Sequence, residues 1–277
     1  AMKHRANPTF FIFGVLGGLL FLDLVLPVAS LFFGANWAGW LEALRQPAAL
    51  QALVISLEAS AISMTIMTLL GVPLGYLLAR AHLPLKRFWI CLVFLPMVMP
   101  DLAAGILLLK TFGPYGIIGQ PLDAKNISLT NNLAGIVLAQ LFVGAPFVVV
   151  SALSSFTSVD LKLEMAAATL GDSRWHIFRR ISLPLASPGI AAGLTLAWIR
   201  AMGEFGSTLI VAYNPHSLPV YMWVKFESDG LAGALPAAFC LVMLAATAVV
   251  MSMLFSRVAG FAAVDTPFGK TAMAERY

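Results

Sequence analysis

Charge is scarce in this chain. Of 277 residues, 11% are Asp, Glu, Lys or Arg while 60% are hydrophobic, and the mean hydropathy is +0.89. Soluble domains average ~25% charged and ~45–50% apolar residues, so a water-soluble globule is excluded as the class. Cysteine is also scarce. Cys91 and Cys240 lie inside apolar runs with no Cys or His at ligand spacing. They read as small buried hydrophobes and say nothing about redox compartment.

The four histidines, His4, His82, His176 and His216, all fall in loops or tails. A membrane-buried Ser–His dyad would therefore lack its base. No H-E-x-x-H occurs. Gly269-Lys270-Thr271 resembles the end of a phosphate-binding loop, but Val264 stands where the first glycine belongs, and no strand precedes it. No catalytic site, no metal site and no ATP site of its own are expected. Segments of ~10 residues with alternating polarity, the mark of a membrane barrel, are missing. So are internal repeats and low-complexity stretches.

What is present is a series of apolar runs, at about 9–33, 50–79, 88–110, 132–156, 187–213 and 234–256. A helix crosses the ~30 Å hydrocarbon core with ~20 residues. The expectation is an all-α membrane protein with six transmembrane helices. The first run follows Lys3 and Arg5 but is too long for a typical signal core, and is read as an uncleaved span. One membrane domain is expected over 1–258, followed by a short polar tail over 259–277.

Lys and Arg set the orientation. One side carries Lys3, Arg5, Arg80, Lys86, Arg87, Lys162, Arg174, Arg179, Arg180, Arg257, Lys270 and Arg276; the other carries only Arg45, Lys110, Lys125 and Lys225. Both termini and the loop over 158–186 are expected in the cytoplasm. The same bias explains the net charge of +4. Basic residues at span ends, rather than in a patch, argue against nucleic acid and fit contact with membrane lipid.

The loop Glu164–Pro184 is basic and helix-forming between apolar neighbours. Ser158 or Asp160 can cap a first helix over Leu161–Leu170. Gly171 stops it. Asp172 or Ser173 can cap a second helix to about Ile181, and Pro184 is expected to end that helix. The outcome would be a rigid helix–turn–helix whose exposed alanines and leucines suit either a partner's groove or a membrane interface.

This loop resembles the "EAA" signature of bacterial and archaeal ABC importer permeases: E-A-A, three residues, G, nine residues, I, one residue, L-P. Ala166-Ala167, Gly171, Ile181 and Leu183-Pro184 match the spacing. Met165 occupies the Glu position, and Glu164 lies one residue earlier. The resemblance extends over about 50–256. Leu95-Pro96-Met97-Val98-Met99-Pro100, Ala103-Ala104-Gly105, Pro146-Phe147-Val148-Val149 and Gly203-Glu204-Phe205-Gly206 look like the molybdate, tungstate and sulfate permeases. Ala212-Tyr213-Asn214-Pro215 and Ser228-Asp229-Gly230-Leu231 are most similar to the molybdate/tungstate branch. Asp101 departs from the pattern, which often has proline or an apolar residue there.

The resemblance implies the transmembrane subunit of an ATP-driven importer of a tetrahedral oxyanion in the cytoplasmic membrane of a bacterium or archaeon, acting as a homodimer. It implies two copies of a separate ATP-binding subunit, which hold ATP and Mg, and an external oxyanion-binding protein. Contact with the ATPase would fall to Glu164, Ala166, Ala167, Leu170, Gly171, Ile181, Leu183 and Pro184. A sulfate or thiosulfate permease is the alternative within the family. An ion-coupled secondary transporter is the alternative outside it, and would call for inverted repeats that are not visible.

Charges inside a bilayer are costly and need a reason. Arg200 and Glu204, four residues apart, share a helical face and are expected to pair near a gate. Gly203 and Gly206 would permit close approach or bending, with Phe205 between them. Pro96 and Pro100 should kink the third span, lining a pathway or simply packing. Asp23, Glu58 and Asp101 carry no assigned function.

Overall fold

A computed structural model describes residues 8–33 and 35–264. Lys3, Arg5, Lys270 and Arg276 of the charge pattern, and most of the tail expected over 259–277, lie outside the described residues. Cα packing divides the chain into two units, 1–46 and 47–277.

The first unit holds α1 (Pro8–Ser30) and α2 (Trp37–Arg45). None of the described α1 side chains is buried. Apart from Asp23 the helix is apolar on every side, as suits a helix facing lipid. Helix α2 is short and begins where Asn36 Oδ1 accepts the Gly39 N–H at 3.1 Å.

The second unit is built on α3 (Pro47–Arg80), α7 (Leu133–Ser158) and α10 (Leu183–Met202), with α7 packed between the other two. Helix α7 starts at Asn132, whose Oδ1 caps Gly135 N–H at 3.0 Å. In lipid there is no hydrophobic drive to bring helices together, so small residues and close packing must do it. The α3–α7 seam shows this. A Cβ on Gly75 would lie 2.5 Å from Ala152 Cβ and 2.9 Å from the Leu153 backbone nitrogen. Gly189 and Gly193 of α10 likewise sit against Ser155 and Ser151 of α7. Around these seams lies the core of Met67, Val148, Ala152, Phe156, Ile190 and Ala197. Between α3 and α7, Ser63 Oγ also donates to Gln140 Oε1 at 2.9 Å, a buried polar contact.

Helices α4 (Lys86–Val98) and α5 (Asp101–Phe112) occupy the run expected to be the third span, but they meet at 113°, the geometry of a broken span or a re-entrant loop. Pro96 sits inside α4 without breaking it. The break is at Met99-Pro100, because proline biases the residue before it to extended backbone (Met99 has φ −74°, ψ 139°). The run is therefore a bent pair rather than one kinked helix. A five-residue helix α6 (Gly119–Asp123) lies in the following loop.

The elbow consists of α8 (Leu161–Thr169) and α9 (Arg174–Ile177), followed by a π-helical turn over Phe178–Ser182 that runs directly into α10. Here the expectation that Pro184 ends the second elbow helix is corrected. The π turn accommodates it: Leu183 N–H bonds back five residues to Phe178 O, and the widened turn relieves the clash a proline ring makes in a regular α-helix. The fifth apolar run, expected to be continuous over 187–213, stops at Met202 and resumes as α11 (Gly206–Val211). After Asn214-Pro215 the chain becomes helical again from Leu218. It forms α12 (Leu218–Val264), whose helical backbone is interrupted at Gly230 (φ 67°, ψ −158°). Its start is fixed by Ser56 Oγ of α3, which accepts the Leu218 N–H at 2.7 Å.

Among the described residues, five helices are long and apolar enough to cross a membrane, six if the α4–α5 pair counts as one span. The cysteine expectation is half corrected. Cys240 is partly buried, but Cys91 is exposed on apolar α4, where lipid would serve as its surroundings.

Candidate functional site

Two ionic clusters lie near the ends of α10, and the helix joins them. The first fastens the elbow. Asp160 Oδ1 caps α8 through Lys162 N–H at 2.9 Å, and Ser173 Oγ caps α9 through His176 N–H at 3.3 Å. Between them Gly171 adopts φ +93° with open space around it, so what it supplies is backbone freedom, not room. Glu164 is turned inward. Its Oε1 accepts from Arg80 Nε at 3.1 Å, Arg80 Nη2 at 2.8 Å and Ser182 Oγ at 2.8 Å. Arg80 Nη2 also donates to Val159 O at 2.9 Å. One carboxylate oxygen thus ties the end of α3, helix α8 and the π turn together.

Aromatic packing reinforces that tie. Phe178 of the π turn has its ring centroid 4.8 Å from Tyr76 of α3, 6.0 Å from Phe156 of α7 and 5.5 Å from Trp175 of α9. Ala167 is buried against the body, while Ala166, Met165 and Leu170 face outward, Leu170 at 88% exposure. Ile181 and Leu183 are half-buried, and Pro184 is exposed. The elbow therefore presents a rim of Leu161, Met165, Leu170 and Trp175, all exposed apolar side chains, on a base that cannot easily rotate.

The second cluster lies at the far end of α10, about 26 Å along the helix axis from Leu183. Arg200 Nη1 donates to Glu204 Oε2 at 2.7 Å, as the four-residue spacing predicts. Arg200 Nη2 donates to Asp101 Oδ1 at 2.5 Å, joining α10 to α5. Glu204 is buried, and its Oε1 accepts the Ser207 N–H at 2.7 Å, satisfying an orphan donor at the start of α11. Ser207 Oγ donates to Asp101 O at 2.9 Å. Gly206 permits this approach, since a Cβ there would lie 2.7 Å from Asp101 Cβ.

The other residues singled out for a gate divide. Phe205 leaves the ionic cluster and packs on Trp223 at 5.6 Å. Gly203 closes α10 and is exposed. Pro100 caps α5 immediately before Asp101, while Pro96 is half-buried within α4. The sequence reading gives no site role to Arg80, Ser182 or Asp101, and the structure makes all three principal contacts. Their partners are 84, 18 and 99 residues away, so no local spacing could have signalled them.

Comparison with known proteins bears on the chain as a whole. A family model described as the inner membrane component of binding-protein-dependent transport systems matches residues 71–263. A probable molybdenum ABC transporter permease protein of Haloferax volcanii is 41% identical over 237 residues, covering 86% of this chain and 87% of that protein. The molybdate/tungstate transport system permease protein of Thermococcus kodakarensis is 38% identical over 242 residues, covering 87% and 93%. Among solved structures, an inward-facing MetNI methionine ABC transporter chain aligns with a TM-score of 0.63 at 18% identity, over 76% of this chain and 95% of that one. A bacterial alginate ABC transporter chain aligns with the same score at 17% identity, over 95% and 99%. At such identities the two structures speak for the fold alone. The family model covers more than half of the chain, and the relatives cover most of it: this chain belongs to the family of inner-membrane components of binding-protein-dependent transport systems.

Proposed function

We propose that the chain is the transmembrane subunit of an ATP-driven importer that carries molybdate or tungstate across the cytoplasmic membrane by alternating access. It works as a homodimer, with two ATP-binding subunits on the cytoplasmic side and an oxyanion-binding protein outside. ATP and Mg are held by the ATPase, and the elbow over 158–186 faces the cytoplasm.

The observation that carries this proposal is the exposed rim of Met165, Leu170 and Trp175 on a base pinned by Glu164. An apolar rim suits a protein groove, and the three hydrogen bonds accepted by Glu164 make the elbow move with α3 and α10 as one piece. Closure of the ATPase dimer would push the elbow, and α10 would pass the displacement to the Asp101–Arg200–Glu204 cluster. ATP can drive this switch only if the ATPase binds it differently in the two states, and the rim is the surface through which that difference is communicated. Selection between molybdate, tungstate and sulfate falls mainly to the external binding protein, because small tetrahedral dianions present similar surfaces. The relatives' names favour the first two.

The test is uptake of molybdate and tungstate into proteoliposomes holding the assembled complex and its binding protein. Uptake should need ATP and a competent ATPase. Uptake that persists with a catalytically dead ATPase would reject the proposal in favour of ion-coupled transport.

A further inference from the structure

The Asp101–Arg200–Glu204 cluster has a feature that a purely structural ion pair would not need. Arg200 faces two carboxylates, so the cluster carries a net charge of −1 if all three are ionised. The two acidic partners are not equivalent. Glu204 has a fully buried side chain, sits four residues from Arg200, and is fixed by the Ser207 N–H. Asp101 has a side chain that is 45% exposed and reaches Arg200 from a different helix. That helix begins directly after the 113° bend at Met99-Pro100, so Asp101 stands in its first turn, where its side chain reaches Arg200 from outside α10.

Exposure also tells what lies on the open side. The Arg200 side chain is 29% exposed in the single chain. A charged pair of this accessibility, in segments apolar enough to span, is not left facing hydrocarbon. In the last turn of α10 it faces water at the membrane surface, a second copy or an internal polar space, and in an oxyanion importer the internal polar space is the route of the anion. A tetrahedral dianion offers the same paired oxygen acceptors to a guanidinium as a carboxylate does.

We propose that Asp101 is a displaceable counter-ion: while its side chain holds one nitrogen of Arg200 it keeps the passing oxyanion out, and when that side chain turns away, its backbone still held by Ser207, it releases Arg200 to bind that anion. Glu204 is the permanent partner that holds Arg200 in place. Asp101 is thereby a gate residue that acts by charge, and Arg200 a transient ligand. The inference rests on the oxyanion-importer proposal and adds to it which side chains admit the substrate.

The experiment uses permease–ATPase complexes in proteoliposomes preloaded with tungstate, without nucleotide, and measures passive efflux. Wild type and D101E, which keep the carboxylate, should both be tight. D101N weakens the hold on Arg200 by the difference between a charged and a neutral acceptor, so efflux should rise by about tenfold. ATP-driven uptake in wild type is measured in parallel. If wild type does not take up tungstate or molybdate with ATP, the oxyanion proposal itself fails. If wild type transports but D101N stays as tight, only the counter-ion role is overturned. Equal leaks in D101E and D101N would also overturn it, because packing and not charge would then be the seal. A D101N protein that fails to assemble would contradict it too, since a contact that opens in every cycle cannot be what holds the fold.

Discussion

Glu164 and Arg80, 84 residues apart, meet through two hydrogen bonds to a single carboxylate oxygen, and the Ser182 hydroxyl adds a third. Both side chains of the pair are mostly shielded, at 14% and 13% exposure. Such a pair costs more to break than a surface pair, because removing one partner leaves the other with an uncompensated charge. E164A and R80A should each lower the thermal stability of the detergent-purified protein. The double variant should fall short of the summed losses by about 1–3 kcal/mol. Additive losses would mean that the two side chains act independently.

Gly171 yields a different kind of prediction. Its surroundings are empty, so the penalty for a side chain is conformational only. G171A forces a left-handed backbone on an L-residue at about 1–2 kcal/mol, and G171N should be milder because Asn tolerates that region. ATP-driven uptake should fall in the order glycine, asparagine, alanine, with membrane insertion unchanged. Equal uptake in all three would show that the bend is not required for coupling.

Arg200 and Glu204 form the pair their spacing predicts, but Asp101 makes it a triad. R200A strands the buried Glu204 carboxylate, at about 3–5 kcal/mol. R200A/E204A removes the stranded charge and should be more stable than R200A alone. Thermal unfolding of the two variants decides; a double variant that is worse by the sum of the single losses would reject the pairing.

Gly75 tests the packing seam. G75A would bring its Cβ against Ala152 Cβ and the Leu153 backbone, and a backbone cannot give way as a flexible side chain can. The loss should be about 1–3 kcal/mol, read as a lower unfolding temperature. A neutral outcome would show that α3 and α7 are packed more loosely than their geometry.

What could be read in the sequence was local. Gly171 as a stop, Asp160 and Ser173 among the candidate caps, and Arg200–Glu204 as neighbours on one face all follow from spacings of a few residues, and the structure shows each. The bonds that pin the elbow and the α10 cluster were out of reach, because Arg80 and Asp101 find their partners across 84 and 99 residues. The proline expectations divide. Pro184 does not end the helix it is expected to end, while the third apolar run does bend, at Pro100 and not at Pro96. Proline's effect depends on the turn it meets. A π turn absorbs Pro184, α4 tolerates Pro96, and Pro100 starts a new helix at a steep angle. The displaced Glu164, next to the position where the signature expects it, still makes internal contacts, while Met165 at the expected position is 61% exposed.

The central claim is that the elbow lies in the cytoplasm and is gripped there by the ATPase. It is tested most directly by L170C in a background with Cys91 and Cys240 replaced, probed with a membrane-impermeant maleimide. Leu170 should be unlabelled in intact cells, labelled in inverted vesicles stripped of the ATPase, and protected again when the ATPase is added back. Labelling in intact cells, or labelling indifferent to the ATPase, would contradict the account.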